Sequence, residues 1–395
     1  MGFQPGSARN SESFASGEGI HRRKAGILHC IAALEKGGAE RQLRLLLDHH
    51  DRQRFRVAVL CLSDSVSTPL PPEVQVLKVD RGERWNLLGL WSTIIRVAWR
   101  YNPDLFHLWL PEIVTIPAAL AGVARKRPII SAQRSAPDRR ISARRWPVLD
   151  RATYVAHLLS TRLIPNFDPE DVNAPLFKWL FARKKGRVIP NGVPAEFLSV
   201  RPVDDGVHAN GSLNIVYAGR LVKSKNVASL LHAVSDLAVE GVPLKVHLFG
   251  DGPEEGSLRS LVREIRLDDQ VVFHGHRADW PQLACGADMF VFPSISEGMS
   301  NVLLEACAIG LPVVAVDMPS VRALLRHEVS AYLVPANSHV ALREAIACLL
   351  RNEPLRTSIG SSARSVAERF SAIRMTRAYE TLYLELLRER TPHSG

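Results

Sequence analysis

The sequence predicts an α/β fold made of two doubly wound, Rossmann-like domains facing each other across a cleft. The length of 395 residues suits two or three domains. Short apolar runs alternate with segments of helical periodicity, which is typical of parallel sheets covered by helices. The alternation starts again after residues 201–212, a stretch of turn-forming residues without apolar periodicity.

The first series of elements begins with the apolar run 25–34, which predicts a strand leading into a glycine-containing turn. A helix is predicted next in GGAERQLRLLLDHH, because Leu43, Leu46 and Leu47 recur at helical spacing. Four more apolar runs predict strands, the last of them closed by an Asn-Gly turn: 54–62, 104–110, 128–133 and 186–194.

The second series repeats this pattern after the linker. Its predicted strands are 213–219, 244–250, 270–275, 289–294 and 311–316. Helices are predicted near 226–240 and 254–266 and from near Ser300 onward. Ligands of such sheets bind outside the carboxyl ends of the strands, so we expect the site in the cleft between the domains.

These patterns predict the domain boundaries. We expect a flexible tail at 1–23, a first domain at 24–200, a linker at 201–212 and a second domain from 213 to 370. The tail is rich in Gly and Ser without an apolar core, so we do not expect a secretory signal. We expect no membrane-spanning helix, so any membrane role is expected to be peripheral.

Composition favours a soluble globular protein in a reducing compartment. Hydrophobic residues make up 46% and charged residues 23% of the chain, which excludes a wholly disordered or fibrous protein. Five dispersed cysteines with no CxxC pair argue against a disulfide framework or a zinc site. We therefore expect a cytoplasmic location.

The positive charge lies in the first half of the chain. Residues 1–200 have a net charge of +12 and residues 201–395 a net charge of −2, within a total of +10. Such asymmetry indicates an anionic partner for the first half, either nucleic acid or an anionic membrane.

The stretch SISEGMSNVLLEACAIGLPVVA, 294–315, is the most informative motif. A strand ends before it, a glycine-containing loop follows, and a helix begins near Ser300, where backbone N–H groups can hold phosphate oxygens. Glu297 in the loop and Glu305 on the helix are separated by seven residues. Carboxylates suit sugar or ribose hydroxyls because they accept several hydrogen bonds. A solvated loop Glu and a surface helix Glu are the alternative interpretation.

EGMSNVLLEA resembles the Glu-x7-Glu signature of the retaining glycosyltransferases of family 4, which have the two-Rossmann-domain GT-B fold. Other segments resemble that family in the same order, over roughly residues 25–390. They are LEKGGAERQL, RVIPNGVP, VYAGRLVKSKN, FGDGPEEGSL, VVFHGHR and FSAIRMTRAYETLYLELL. The resemblance implies an acceptor-binding first domain, a nucleotide-sugar-binding second domain, and a C-terminal helix at 371–395 that crosses back to the first domain.

The resemblance also implies roles for individual residues. Arg220 and Lys225 would neutralise the donor diphosphate, which becomes the leaving group. Glu297 would hold the donor sugar and Glu305 the ribose hydroxyls. Further donor contacts would come from the backbone of the motif, from the first domain's glycine loop and from the base-binding turn. These residues are Met299, Ser300, Asn301, Gly37, Gly38, His276 and Arg277.

The sequence departs from the family at two places. The family often has a His near the reacting sugar after the strand that corresponds to PIISA, and Gln133-Arg134 stands there instead. Either residue is a candidate for acceptor contact or positioning. His107, after an earlier strand, is interpreted as structural or acceptor-facing. The family's Gly-Gly before the next helix is Pro319-Ser320 here, so no sugar contact is assigned to that place.

No cofactor is expected, because the nucleotide-sugar is a substrate. FGDGPEEG does not have the Rossmann dinucleotide spacing, and the chain has no phosphate loop of the GxxxxGK[ST] type. It also has no Asp-x-Asp, which argues against the metal-dependent glycosyltransferase fold, so no required metal is expected.

The segment 125–151 carries a dense run of Lys and Arg with Trp146 and Leu149 among them. A basic, amphipathic face is typical of binding to an anionic membrane surface. A solvated charged face is the main alternative. Nucleic acid is a third interpretation, but no aromatic stacking platform or known module accompanies it.

The sequence favours a retaining hexosyltransferase that moves a sugar from a nucleotide diphosphate sugar, with UDP as the expected nucleotide, to a glycan. A polyprenyl-linked acceptor in exopolysaccharide or O-antigen synthesis is expected, at the inner face of the plasma membrane. The alternatives are a nucleotide-sugar epimerase or sugar-phosphate synthase on the same fold, and a non-catalytic nucleotide-sugar or nucleic-acid binder. The sugar, the acceptor and the linkage are left open.

Overall fold

The structure is a computed structural model that describes residues 23–35, 37–62, 70–80, 87–110, 114–134, 147–201, 207 and 212–390. Three sequence predictions fall wholly or largely outside these residues. They are the tail at 1–23, most of the linker at 201–212, and the part of the basic segment from 135 to 146.

The described chain forms two sheets of six parallel strands each. The first sheet contains β1 Ala25–Cys30, β2 Phe55–Cys61, β3 Gln75–Lys78, β4 Leu105–Leu108, β5 Ile129–Gln133 and β6 Arg162–Pro165. The second contains β7 Leu213–Ala218, β8 Leu244–Phe249, β9 Val271–Gly275, β10 Met289–Phe292, β11 Val313–Val316 and β12 Tyr332–Val334.

The two sheets have the same strand order. The first is ordered β3-β2-β1-β4-β5-β6 and the second, read from its other edge, β9-β8-β7-β10-β11-β12. This is the doubly wound order. The strand order reverses between β1 and β4 in the first sheet and between β7 and β10 in the second, and such a reversal leaves a crevice at the carboxyl ends of those strands. The predicted fold class is therefore confirmed.

Helices cover the faces of both sheets. Those of the first half are α1 Gly38–His49, α2 Leu87–Tyr101, α3 Thr115–Ala124, α4 Pro147–Leu159 and α5 Pro175–Arg183. Those that follow are α6 Val227–Val239, α7 Glu255–Glu264, α8 Trp280–Ala284, α9 Asn301–Ala308, α10 Pro319–Arg322, α11 His339–Arg351, α12 Glu353–Ala367 and α13 Ala372–Arg390.

One strand prediction is wrong. Residues 186–194 form no strand, and Val193 makes only an isolated bridge to Ser371. Pro190 and Pro194 have no N–H group to offer a ladder, which limits pairing in this segment. The edge of the first sheet is formed instead by β6, whose four residues are too short to stand out in the sequence.

The last helix belongs to the core of the first half. The apolar side of α13 packs against β1, β2 and α1 through side chains that are at most 3% exposed. These are Ala372, Met375, Tyr379, Leu382, Tyr383 and Leu386. The chain thus runs from the first sheet to the second and then returns.

The outgoing and returning parts of the chain touch. Val193 N donates to the carbonyl of Phe370 at 2.7 Å, and Ala372 N donates to the carbonyl of Val193 at 2.9 Å. A Cβ atom on Gly192 would lie 2.6 Å from Cα of Ala372, so the two crossings leave no room for a side chain there.

None of the helices in the described part of the chain has the length and apolar character needed to cross a membrane.

Candidate active site

Four predicted residues lie at the carboxyl edge of the second sheet. Arg220 follows β7, His276 and Arg277 follow β9, and Glu297 follows β10. The strands are parallel, so their carboxyl ends share one edge. The sequence motifs, which are far apart in the chain, are therefore brought to one side of the sheet.

Two glycines allow the loops after β7 and β8 to pack closely. Gly219 has φ +145° and Gly250 has φ +149°, which side chains rarely tolerate. A Cβ atom on Gly250 would lie 1.9 Å from the carbonyl oxygen of Gly219. The backbone beside Arg220 is thus fixed by contacts that only glycine permits.

Lys225 and Glu297 form an ion pair between Nζ and Oε1. Lys225 ends the short 3-10 turn Lys223–Lys225 after β7, while Glu297 comes from the loop after β10. The two loops are also joined by Ile295 N, which donates to the carbonyl of Ser224 at 3.0 Å. Because the side chains are only 18% and 17% exposed, water screens their attraction less than at an open surface.

Arg220 is exposed beside this pair. Its carbonyl accepts a hydrogen bond from the hydroxyl of the buried Tyr217 at 3.1 Å, which fixes the backbone of the residue. Burial and the nearby charge of Glu297 raise the pKa of Tyr217, so its hydroxyl stays protonated and keeps donating. The guanidinium is left at the surface of the cleft edge.

Glu305 lies in the second turn of α9 and is 2% exposed. Its Oε1 lies 2.9 Å from Nη1 of Arg41, and its Oε2 accepts from Nε1 of Trp280 at 3.0 Å. Burial raises the pKa of Glu305, and Arg41 and Trp280 counteract part of that rise. Glu305 is therefore no surface helix residue, which removes the alternative interpretation for this half of the motif.

The start of α9 faces the first half of the chain. Asn301 Nδ2 donates to the carbonyl of Gly38 at 3.0 Å, and its Oδ1 accepts from Asn191 Nδ2 at 2.7 Å and from Gln42 Nε2 at 3.1 Å. The carbonyl of Met299 accepts from Asn191 Nδ2 at 2.9 Å. We call the three side chains of Gln42, Asn191 and Asn301 the amide cluster.

The glycine loop of the first half meets this cluster. Gly37 and Gly38 lead directly into α1, and a Cβ atom on Gly38 would lie 3.3 Å from Nδ2 of Asn301. Gly37 has φ −101°, so close approach rather than left-handed geometry is what favours glycine here. The segment Met299, Ser300 and Asn301 is thus in contact with the glycine loop, and both were predicted to contact the donor.

The turn that the resemblance assigns to the base is exposed. His276 and Arg277 are both at the surface, and Arg277 forms an ion pair with Asp279 at 2.6 Å. The preceding His274 instead stacks on Phe249, with ring centroids 4.2 Å apart.

Of the three candidates for acceptor contact, His107 and Gln133 are buried. His107 is fully buried, and its Nδ1 lies 2.7 Å from the hydroxyl of Tyr383 on α13, so the structure favours the structural interpretation. Burial, His29 and Arg134 lower the pKa of His107. Gln133 is buried with its Oε1 3.0 Å from Nε2 of His157.

Arg134 is half-buried. Its Nη2 donates to the hydroxyl of Tyr379 at 2.5 Å, and its Nη1 donates to Oδ1 of Asn191 at 3.2 Å. The guanidinium also lies over the ring of Trp109, 4.5 Å from its centroid. Arg134 therefore connects the end of β5 to α13 and to the amide cluster.

Sequence reasoning missed Arg41, Gln42, Asn191 and Trp280. Asn191 stands in the segment predicted as a strand closed by an Asn-Gly turn and likened to the family's inter-domain segment, and Gln42 directly precedes Leu43 of the helical pattern. A polar residue at a buried position beside the glycine loop was the available signal. Trp280 gave none, since nothing local distinguishes it from a core residue.

Within the described ranges, no group of three or more His, Cys, Asp or Glu side chains is arranged to hold a metal ion. A metal-free reaction stays a prediction from the sequence.

Residues 204–366 match the model of the family Glycosyl transferases group 1. The match covers β7 to β12 and the helices between and after them as far as α12. It thus takes in Arg220, Lys225, Glu297 and Glu305 but not the first sheet.

Among curated proteins, the chain is similar along most of its length to one from Campylobacter jejuni. That protein is N-acetylgalactosamine-N,N'-diacetylbacillosaminyl-diphospho-undecaprenol 4-alpha-N-acetylgalactosaminyltransferase. The two are 23% identical over 368 residues, which is 90% of this chain and 98% of the relative. Other curated relatives are 27–34% identical, but the chain spans only 21–53% of their lengths.

Solved structures show the fold. Sucrose-phosphate synthase from Thermosynechococcus elongatus has a TM-score of 0.77 at 19% identity, covering 93% of this chain and all of its own. Anabaena HepE, in complex with UDP-glucose, has a TM-score of 0.73 at 21% identity, covering 91% of this chain and 99% of its own. The fold is GT-B.

Proposed function

We propose that the chain is a retaining family 4 glycosyltransferase that moves a sugar from a UDP-sugar to a lipid-linked glycan acceptor. The observation that carries the proposal is the convergence of Arg220, Lys225 and Glu297 at the carboxyl edge of the second sheet. Glu305 lies beside the first half's glycine loop through its contact with Arg41. The match of residues 204–366 to a glycosyltransferase family supports it.

The proposed chemistry follows from charge. Breaking the bond between the sugar and the nucleotide places negative charge on the leaving diphosphate. Arg220 and Lys225 are two cations that the loop after β7 brings to that place, so they stabilise the charge as it develops. Glu297, next to Lys225, offers carboxylate oxygens to the hydroxyls of the departing sugar. No step calls for a metal or cofactor.

The proposed donor is a UDP-sugar. HepE, which shares the fold, binds UDP-glucose, and that supports the choice of nucleotide. Glu305 suits the ribose because a carboxylate oxygen accepts more than one hydrogen bond, so contact with Arg41 and Trp280 leaves acceptor capacity.

The proposed acceptor is carried on a lipid. The Campylobacter jejuni relative, aligned over nearly its whole length, acts on a diphospho-undecaprenol-linked saccharide. Such an acceptor is presented at a membrane, so a basic and partly apolar surface on the first half fits it.

The described part of the first half has such a surface on α2 and the end of α3. Leu88 is 78% exposed, and Trp99 is exposed with the guanidinium of Arg125 5.1 Å from its ring centroid. Trp99 Nε1 donates to the carbonyl of Ala121 at 3.3 Å, which joins the two helices. We call the exposed cations here the α2–α3 basic face. They are Arg96, Arg100, Arg125 and Lys126.

A donor panel tests the proposal. Calorimetric titration with UDP, GDP and ADP should show tightest binding of UDP, and a UDP-sugar panel should then raise the melting temperature by mass action. Transfer from the stabilising donor to a polyprenyl-linked saccharide should follow, with the anomeric configuration of the donor retained in the product by NMR. Failure to bind any nucleotide, or product of inverted configuration, contradicts the proposal.

A sugar-phosphate acceptor is the second candidate, because sucrose-phosphate synthase shares the fold at a TM-score of 0.77. Transfer to a soluble sugar phosphate but not to a lipid-linked saccharide would favour it. Conversion of the donor without any acceptor would indicate an epimerase, and binding without turnover a non-catalytic binder.

A further inference from the structure

The two carboxylate oxygens of Glu305 are bound by side chains from different halves of the molecule. Trp280, which is 3% exposed and lies in the second half, donates to Oε2, while Arg41 from the first half contacts Oε1. Arg41 is the charged side chain that contacts this carboxylate within the described residues. Arg364 of α12, which packs on α9, is directed elsewhere and donates to the carbonyl of Leu198.

Arg41 is held for this contact. It lies in the first turn of α1, three residues after Gly38, and its guanidinium carbon lies 5.5 Å from the ring centroid of Phe197. The neighbouring Gln42 bonds Gly192 in both directions, donating to its carbonyl at 2.9 Å and accepting from its N–H at 2.7 Å. Helix α1 is therefore fixed against the crossing between the halves, and Arg41 with it.

We propose that Arg41 is a positioning residue that reaches across the cleft and keeps Glu305 as an ionised, correctly directed acceptor for the nucleotide ribose. The nucleotide site of the second half is thereby completed by a residue of the first. This inference rests on the proposed function, which assigns the ribose to Glu305.

The physical reason is the cost of a buried charge. A carboxylate removed from water favours its protonated form unless a cation lies close by. Burial already raises the pKa of Glu305 with Arg41 in place, so removing Arg41 raises it further. A protonated carboxyl group gives up acceptor capacity that the ribose hydroxyls need. Arg41 thus acts on the nucleotide through Glu305.

Nucleotide affinity against pH tests this role. UDP binding to the full chain is measured by calorimetry from pH 6 to pH 8.5 for wild type, Arg41→Ala, Arg41→Lys, Glu305→Gln and the double variant Arg41→Ala/Glu305→Gln. Arg44→Ala is the matched control, since Arg44 lies one turn along α1 and pairs with Asp48. Dividing each affinity by that of wild type at the same pH removes the titration of UDP itself.

At pH 6.5 we expect Arg41→Ala to weaken UDP binding roughly tenfold to a hundredfold, the range for a hydrogen bond to a charged group. The loss should shrink as pH rises and Glu305 ionises again, and Arg41→Lys should restore most of the affinity. In the Glu305→Gln background, Arg41→Ala should add little. Three results would each overturn the inference. They are a loss of UDP affinity that is equal at every pH, an equally large further loss when Arg41→Ala is added to Glu305→Gln, and tighter UDP binding by Arg41→Ala.

A ligand-free measurement separates this inference from the proposed function. A folded-state pKa above the unfolded value gives stability at low pH that is lost as pH rises through the folded pKa. As pH rises above the ordinary carboxyl pKa of 4.5, Arg41→Ala should therefore lose more stability than the double variant. If it does and wild type binds no nucleotide, the proposed function fails and this inference falls with it. If wild type binds UDP and Arg41→Ala behaves like Arg44→Ala, this inference alone fails.

Discussion

Lys225 and Glu297 neutralise each other at the place where the proposed function puts a diphosphate and a sugar. An ion pair between partly buried side chains keeps both charges in position before substrate arrives. A diphosphate brings more negative charge than one carboxylate, so it competes well for Lys225. The pair thus presents a preorganised cation and a preorganised acceptor.

Removing any one of three charges at this edge of the sheet should slow transfer without unfolding the protein. We expect Lys225→Ala, Arg220→Ala and Glu297→Gln each to lower kcat/KM by about 10²-fold or more, as for other groups that stabilise transition-state charge. Initial rates with a saturating acceptor measure this. Lys223→Ala is the matched control, because Lys223 is an exposed cation in the same turn. Activity of Lys225→Ala within a few-fold of the control would exclude Lys225 from the reaction.

The catalytic candidates predicted from the sequence carry charge in loops that follow strands. Arg220, Lys225 and Glu297 can be identified as candidates because a charged residue after a buried strand has few structural uses. Asn191 and Gln42 could not be found in this way, since their partners at the start of α9 and in the crossing lie 108–259 residues away in the chain. A single polar side chain shows no preference for a distant partner, so only the folded chain reveals the amide cluster.

At the scale of elements, α13 is a part of the first half supplied by the end of the chain. Tyr379 and Tyr383 enter the aromatic cluster around His107 and Trp109, and Arg134 reaches Tyr379 from the end of β5. The helix therefore closes the face of the sheet that would otherwise expose this cluster.

Truncating Tyr379 should destabilise the protein far more than truncating the outer side of the same helix. Tyr379 is fully buried, so Tyr379→Ala should lower the free energy of unfolding by about 3–5 kcal/mol through the cavity it leaves. Glu385→Ala, which removes an exposed pair with Arg187, should cost less than about 1 kcal/mol. Urea unfolding of both variants measures the contrast. Equal midpoints would show that α13 does not contribute to the core.

Elements with a strong apolar run were predictable, and short edge strands were not. The strands β7, β8 and β10 lie within predicted runs, because a strand buried on both faces is apolar along most of its length. β3 has no buried residue along it, so no run marks it. The apolar residues at 186–194 led to a wrong strand prediction because Ile189 and Val193 are buried. They are buried where the chain passes from the first half to the second, and such a crossing does not have to be a strand.

At the scale of the whole molecule, acid should weaken the fold. Burial lowers the pKa of His29 to about 3, with His50 adding to the effect, and lowers the pKa of His157 to about 4. The pKa of His107 is also lowered well below its usual value. Since unfolded histidines titrate near 6.5, the unfolded chain takes up protons first as pH falls.

Each of these three histidines should remove about 2 kcal/mol of stability between pH 7 and pH 5. The rise in the pKa of Glu305 acts in the opposite direction over this range. Urea unfolding at pH 7, 6 and 5 measures the net loss, and His157→Gln should make that loss smaller by about 2 kcal/mol. Stability that stays constant to pH 5 would contradict the neutral state of these histidines.

The α2–α3 basic face should attach the protein to anionic lipid. Changing its four cations to Gln removes roughly 4 kcal/mol of attraction, at about 1 kcal/mol per basic residue near such a surface. Co-sedimentation with vesicles of phosphatidylglycerol and phosphatidylcholine measures the loss, which should disappear at high salt. The matched control carries Gln at four exposed cations of the second half: Lys245, Arg263, Arg266 and Arg369. If both variants bind the vesicles equally, the α2–α3 basic face is a solvated surface and does not attach the protein to lipid.

The two touching crossings at Val193 and Ser371 have a mechanical consequence. A single tether between two bodies permits twisting as well as bending. Two chain segments joined by hydrogen bonds to the N–H and the carbonyl of Val193 are expected to resist twisting and to leave bending about one axis. We therefore expect any relative movement of the two halves to be bending about this axis, so that the same two surfaces meet each time. A side chain at Gly192 would push the two crossings apart, because it would collide with the backbone of Ala372.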